Sequence, residues 1–436
     1  WLDASLSSRA DILVVGDSVV MFGGHGWDAG ITYGAENNMG VAGTGVISGS
    51  NVGQGEGYRY TDVGSTSWSS SAASAFGDAA LVNFGRVSTA ENVTSTIGLL
   101  LSGSTVNPDT EHVLDFWATS GTGGSDYSLQ KRLGEFPWTT SYSAPGFTLA
   151  ETDQITHVSN DIPTSGEQTT NVRLSIDNAS IVGMRLSEKN ATGATVTSIG
   201  YGGKTTLDFY NDRWNNKSEM IRQTYLKQIV EGGSGKLLVP IFEGFNDRNE
   251  NDPSVNGIVD ADSPEAFQDN ILSLINLMQS DWSNAGFIDD DLSFLVFGMY
   301  DIAGNNDELI EYSDIMRLTA ESTDNISYID IRSLGPDYAS GDALGYYSDG
   351  LHLSRQGALY YGDQIMSIVA SVTNGLDGDF NNDGSVDAAD YTVWRDGLGG
   401  TYTLDDYDIW VDNFGITALS STASTSSVPE ASTLAM

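Results

Sequence analysis

The chain has no cysteine, and only 19 lysines and arginines against 59 aspartates and glutamates. The first absence excludes a disulfide framework and a thiolate metal site. The second leaves a formal net charge of −40, a field that repels nucleic acid and anionic membrane surfaces and favours solubility and divalent cations. No apolar run approaches the roughly 20 residues needed to cross a bilayer. The sequence opens on Trp1 with no leader in front of it, so the expectation is a trimmed, mature form. Histidine is scarce as well, at four residues (His25, His112, His157 and His352). What is plentiful is glycine, at 50 residues; with abundant serine, threonine and asparagine it suits a loop-rich exported protein.

At 436 residues two or three domains are expected. Residues 11–16 read as a buried parallel strand, an apolar run closed by glycine. From about Gly23 to Ser71 a Gly/Ser/Asn-rich tract shows little periodicity. Between 72 and 198 short alternating segments predict antiparallel strands in a sandwich; examples are Ala80–Phe84, His112–Trp117 and Thr170–Ile176. Its aromatics, Trp117, Phe136 and Trp138 with nearby Trp68, suit either sugar stacking or core packing. Helical texture returns at Asn211–Val230, at Ser263-Pro264-Glu265 onward (serine as N-cap, proline at the first helical position) and from Ser354 to Val372. Strands are expected at 236–242, Ser293–Gly298 and Ile326–Asp330. Alternating strands and helices predict an α/β unit over 1–71 and 199–374, with the sandwich inserted. An acidic unit follows at 375–416, and a flexible Ser/Thr-rich tail at 417–436.

Three short words carry the chemistry. Gly16-Asp17-Ser18 follows the first strand, Gly244-Phe245-Asn246-Asp247 follows another, and Asp349-Gly350-Leu351-His352 precedes a helix. Alone, each reads as a turn or a cap. All three border elements of one α/β unit, where ligands bind at the carboxyl ends of the strands. A serine hydroxyl needs a neighbouring base to become a nucleophile. His352 has an acid three residues before it, Asp349, able to orient its ring. Asn246 is placed to donate to a developing oxyanion.

On these words the chain resembles the SGNH hydrolases (GDSL esterases/lipases) over residues 11–50 and about 196–372. The resemblance implies a flavodoxin-like three-layer α/β fold, with Ser18 as nucleophile, His352 as base, Asp349 as orienting acid, and Asn246 with the Ser18 amide as oxyanion donors. A further glycine amide would come from Gly203 or, in an alternative block, from Gly43. The expected activity is deacylation, most simply deacetylation, of a polysaccharide. The alternative is a surface structural, filament-forming or carbohydrate-binding protein on the same scaffold, with cell-surface or matrix assembly or homo-oligomerisation.

Asp379, Asn381, Asp383, Ser385, Asp387 and Asp390, with Gly384 between them, space like a twelve-residue calcium loop. The loop, and the repeat of Asp390–Gly399 in Asp406–Gly415, resemble a dockerin, whose two loop–helix halves are here reduced to one calcium loop; one structural Ca2+ is expected, and no cofactor for catalysis. Val428-Pro429-Glu430-Ala431-Ser432-Thr433 resembles the PEP-CTERM sorting signal of exported bacterial proteins, which places the expected location outside the cell or on its surface. Five Asn-x-Ser/Thr sites (Asn92, Asn178, Asn190, Asn216 and Asn325) permit glycosylation.

Overall fold

The computed structural model describes residues 5, 8–21, 26–40, 45, 47–48, 61–62, 69–71, 86–88, 95–100, 111–120, 123–132, 147–149, 152–162, 171–190, 192–200, 202–248, 263–304, 306–371, 378–381, 385–399 and 401–415. Gly43, Asp383, His25, Trp68, Phe136, Trp138, the Ala80–Phe84 segment, the tail and its Val428–Thr433 motif lie outside them.

The organising element is a five-stranded parallel sheet: β1 (Arg9–Gly16), β2 (Gly193–Gly200), β3 (Leu237–Phe242), β4 (Leu292–Gly298) and β5 (Ile326–Asp330), in the order β2-β1-β3-β4-β5. Every residue of β1 and β3 is buried, which is why both read as near-continuous apolar runs. The chain leaves β1 to one side for β2 and returns to the other side for β3. The crevice at their carboxyl ends is therefore a topological switch point.

The helices around the sheet are α1 (Ser18–Met21), α2 (Trp27–Met39), α3 (Glu219–Val230), α4 (Pro264–Asn284), α5 (Asp307–Ser322) and α6 (Arg355–Ser371). In α4, Ser263 Oγ accepts the Ala266 amide at 3.2 Å, and Phe267, Ile271, Leu274, Ile275, Met278 and Trp282 form the buried stripe. The segment Asn211–Val230, expected as one helix, is divided: a π-helix (Phe209–Asn215) is followed by α3. Helix α2 corrects the expectation of an irregular tract over 23–71. It packs against α6 through small residues. A Cβ on Gly30 would strike the Ala358 carbonyl, and one on Gly34 the Gly362 carbonyl, so the two backbones touch where larger side chains would hold them apart. None of the described helices is long and apolar enough to cross a membrane.

Between β1 and β2 the described strands form two antiparallel sheets. One runs Phe147–Leu149, Ser125–Arg132, Asn171–Ile176, Ser95–Leu100, Thr61–Asp62. The other runs Thr152–Ile162, His112–Ser120, Ala179–Glu188, Arg86–Ser88, Ser69–Ser71, with Ile47–Ser48 beside Ala179–Glu188. Across the two sheets Phe116 meets Tyr127 edge-on at 5.1 Å, and the Tyr127 hydroxyl donates to Asn160 Oδ1 at 3.1 Å. These strands begin at Ile47 and end at Glu188, while Gly193–Gly200 joins the parallel sheet. The boundaries expected at 71/72 and 198/199 are corrected accordingly. Trp117 is buried beneath His157, stacked at 4.9 Å, with the Arg185 guanidinium 5.3 Å from its ring. It is a packing residue rather than a sugar platform.

Near the C-terminus, α7 (Ala388–Gly397) and α8 (Leu404–Asn413) pair reciprocally. Trp394 Nε1 donates to the carbonyl of Thr403, the residue capping α8, and Trp410 Nε1 to that of Asp387, the residue capping α7, both at 2.8 Å. The Gly399 and Gly415 amides bond the Tyr402 and Val386 carbonyls at 2.9 and 2.8 Å. Every one of these partners has its counterpart sixteen residues along, so the sequence repeat is a local two-fold arrangement. Tyr391, Trp394, Tyr407 and Trp410 fill its centre.

Candidate active site

Ser18 is the first residue of α1, at the carboxyl end of β1. Its Oγ lies 2.9 Å from His352 Nε2, and His352 Nδ1 lies 2.9 Å from Asp349 Oδ2. A ring that gives its Nδ1 proton to the carboxylate presents a lone pair at Nε2, the form that can take a proton from Ser18. The loop bearing the pair is rigidly built. Asp349 Oδ1 accepts the Leu351 and His352 amides, each at 2.7 Å, a bridge joins Tyr347 to Leu353, and the Ala303 amide bonds the Gly350 carbonyl at 2.8 Å. Partial burial works against the charged form of Asp349. The bonds from the His352 amide, its ring and the Leu351 amide prevail and hold the carboxyl below its usual range.

Asn246 stands across the switch point, after β3. Its amide nitrogen donates to Asp17 Oδ2 at 3.1 Å and to the Lys204 carbonyl at 3.0 Å, so both hydrogens are engaged, and donation to an oxyanion requires the Asp17 bond to be shared or exchanged. Gly202 and Gly203 occupy the loop after β2. A Cβ on Gly202 would lie 3.7 Å from the Ser18 Cβ, whereas one on Gly203, whose φ is 70°, meets nothing within 4 Å. Gly202 is thus the glycine set against Ser18, and Gly203 follows it at the loop's left-handed turn.

Two acids inside the recognised words, to which the sequence assigned no task, tie these loops together. Asp17 is fully buried and caps α1, accepting the Val19 amide at 2.8 Å, while also holding Asn246. Asp247 is fully buried and accepts the Thr206 amide and hydroxyl, each at 3.0 Å. It fastens the Gly202–Thr206 loop to the Asn246 loop. The only hint of this in the sequence is an extra aspartate beside Ser18 and beside Asn246.

Behind Asp17 sits Glu243, 4% exposed, with no hydrogen-bond partner on either carboxylate oxygen among the described residues. Burial, then the charges of Asp17, Asp247 and Asp208, push its pKa well above 4.5, and burial pushes Asp17 up to about 7. Both folded-state values are raised, so the stability they allow is fully present below the unfolded carboxylate range and is lost as pH rises through the folded values. The expected result is a melting temperature that falls between about pH 5 and pH 8, with the fall reduced in Glu243→Gln. Differential scanning calorimetry of both proteins across this range checks it, and parallel curves reject it.

Among the described residues no three acid or imidazole side chains are gathered so as to hold a metal. In the acidic unit Asp379 and Asp390 are buried, Asn381, Ser385 and Asp387 are less so, and Asp383 lies outside the described residues. Asp390 accepts the Asn381 amide at 3.0 Å and the Asp387 amide at 2.8 Å. Burial, and further along the charge of Asp379, raise its pKa.

Residues 164–359 match the GDSL-like Lipase/Acylhydrolase family model. The match takes in Asn246, Asp349 and His352 and begins after Ser18. No curated protein sequence matches the chain. Among solved structures, one described as "Peptidoglycan O-acetylesterase in action, 5 min" is similar at 13% identity, covering 86% of this chain and 95% of its own, with a TM-score of 0.58. Another, Est24, a carbohydrate acetylesterase from Sinorhizobium meliloti, is 18% identical over 41% of this chain and 79% of its own, with a TM-score of 0.30. The structural likeness is one of fold: an α/β unit with a parallel central sheet.

Proposed function

We propose that this chain, built around a GDSL-like acylhydrolase domain, is an exported serine carboxylesterase that removes acetyl or similar acyl groups from carbohydrate. The observation that carries the reading is the hydrogen-bonded line Ser18–His352–Asp349 at the switch point of the sheet. In this reading Ser18 Oγ gives its proton to His352 Nε2 and attacks the ester carbonyl. Asp349 steadies the imidazolium. The Ser18 amide, a glycine amide of the Gly202-Gly203 turn and Asn246 Nδ2 take up the oxyanion charge. His352 then protonates the departing sugar oxygen, leaving an acyl-Ser18 enzyme. Water, deprotonated by His352, attacks the acyl group and releases the free acid.

The test is acetate release from an acetylated oligosaccharide, together with mass spectrometry of protein treated with a fluorophosphonate. The label is expected on Ser18; an unmodified Ser18 with no acetate released rejects the reading.

The two antiparallel sheets, as an inserted sandwich, are assigned to presenting the polymer. The reciprocal helix pair is assigned, as a dockerin-like unit, to anchoring. Calcium would be held there by Asp379, Asn381, Asp383, Ser385, Asp387 and Asp390. Its chemistry is neutralisation of the carboxylates that otherwise repel one another, as Asp379 and Asp390 do. Unfolding of the full chain is expected to show a transition that Ca2+ raises and EGTA lowers, and Asp390→Ala is expected to abolish that response. A Ca2+-insensitive trace counts against the assignment.

A further inference from the structure

Cations are few in this chain, and those on the described residues are mostly spoken for by contact ion pairs. Arg9 pairs with Asp11, Arg185 with Asp115, Lys189 with Asp161, Lys204 with Asp208, Arg222 with Asp281, and Arg332 with Asp301. Arg248 differs. Its Nε donates to the Phe245 carbonyl at 2.9 Å, and among the described residues its two terminal nitrogens have neither a hydrogen bond nor a contact ion pair. It is half-buried, so this guanidinium has given up part of its hydration without receiving a contact partner for its terminal nitrogens among the described residues.

Its position ties it to the reacting groups. It stands two residues after Asn246 on the same loop. The Phe245 ring, whose carbonyl it grips, packs on Tyr300 at 4.7 Å, and the Tyr300 hydroxyl donates to the Leu351 carbonyl at 3.1 Å, beside His352. Arg248 therefore lies on the framework joining the Asn246 loop to the Asp349–His352 loop. Burial lowers its pKa, against the negative charges of Glu308 and Asp17; it stays protonated at neutral pH. On a chain of net charge −40, binding an anionic ligand calls for a local cation with terminal nitrogens to spare. Those nitrogens form the planar fork that matches a carboxylate.

We propose that Arg248 is the specificity-determining residue of this site and that it recognises an anionic substrate: a carboxylate on the acylated sugar, as in a uronic acid, pairs with its terminal nitrogens while the ester faces Ser18. This deepens the esterase reading and rests on it.

The test compares wild type, Arg248→Gln and Arg248→Lys on O-acetyl glucuronate and O-acetyl glucose, with a parallel NMR titration of the same proteins with glucuronate and glucose, which needs no turnover. Wild type is expected to favour the glucuronate ester in kcat/KM, through KM and less so at high salt. In Arg248→Gln the ratio between the two esters is expected to collapse by about 10- to 100-fold, and Arg248→Lys to restore part of it. Glucuronate, not glucose, is expected to shift wild-type resonances, and not those of Arg248→Gln. Hydrolysis of both esters without a charge preference overturns the anion site and leaves the esterase standing. Glucuronate binding that depends on Arg248, with neither ester hydrolysed, upholds the anion site and removes the esterase. Equal losses on both esters in Arg248→Gln assign the residue to structure and overturn the proposal.

Discussion

Ser18→Ala is expected to lower kcat for ester hydrolysis by about 10^4- to 10^6-fold while leaving the melting temperature within a degree or two of wild type. The first half follows from the role assigned to Oγ: without it no acyl-enzyme forms, and what remains is whatever the oxyanion donors do for direct attack by water. The second half follows from the contacts. The hydroxyl's hydrogen bond runs to His352, whereas α1 is held by the Asp17 carboxylate on the Val19 amide and the Asp17 amide on the Phe242 carbonyl, none of which the substitution touches. His352→Ala is expected to cost a comparable factor, and the double variant little more than either alone, because the two side chains act as one proton-transfer unit. Independent, multiplying losses would mean that they do not work together. Residual activity above a tenth of wild type in Ser18→Ala would move the nucleophile elsewhere.

That the serine, the histidine and its acid were legible at all has a physical reason. Each lies in a word of three or four residues at the end of an element whose own pattern is strong: β1 and β3 are buried on both faces, and the loop before α6 is closed by the side chain of Asp349 on its neighbours' amides. Elements whose burial is one-sided or borne by backbone were not legible. Helix α2 buries glycines and alanines as well as Trp27 and Ile31, so its packing face carries too little hydrophobic contrast to show a period. Strand β2 is the edge of the parallel sheet, and two of its buried positions are the polar Thr195 and Thr197, so it has no apolar run like those of β1 and β3; hence the misplaced boundary at 198. The parts of Asp17, Asp247 and Arg248 depend on which loops meet across the switch point, and a linear spacing does not encode that. Nor does it say which of two successive glycines abuts Ser18.

The same logic of loops meeting across layers gives the largest expected loss of stability, in Arg185→Met. Arg185 is 1% exposed, on a strand of the antiparallel sheet. Its guanidinium bonds Asp115 at 2.8 Å and crosses to the carboxyl end of α3, donating to the carbonyls of Gln228, Ile229 and Glu231 at 3.1, 2.8 and 2.5 Å. It caps, from another layer, the carbonyls that a helix end leaves without intrahelical partners, at the negative end of the helix dipole. Methionine keeps much of the stem's volume and removes the fork. Breaking a buried pair in this way typically costs about 3–5 kcal/mol, read here as a lower urea midpoint. His157 gives the loss a pH dependence. Burial opposes its charged form, but the bond to Asp115 and the charges of Glu231 and Asp115 prevail and raise its pKa, with Nε2 3.0 Å from Asp115 and Nδ1 3.2 Å from Glu231. A raised folded value means that its contribution is complete below the unfolded value of about 6.5 and is lost as pH climbs through the folded one. The Arg185→Met deficit should therefore be smallest near pH 6, where imidazolium still neutralises Asp115, and grow toward pH 9. Arg185→Met with Asp115→Leu separates the two sources of the cost. If the orphaned carboxylate dominates, the double variant recovers stability over the single one; if the uncapped α3 carbonyls dominate, it recovers none, and the junction is held by helix capping rather than by the ion pair.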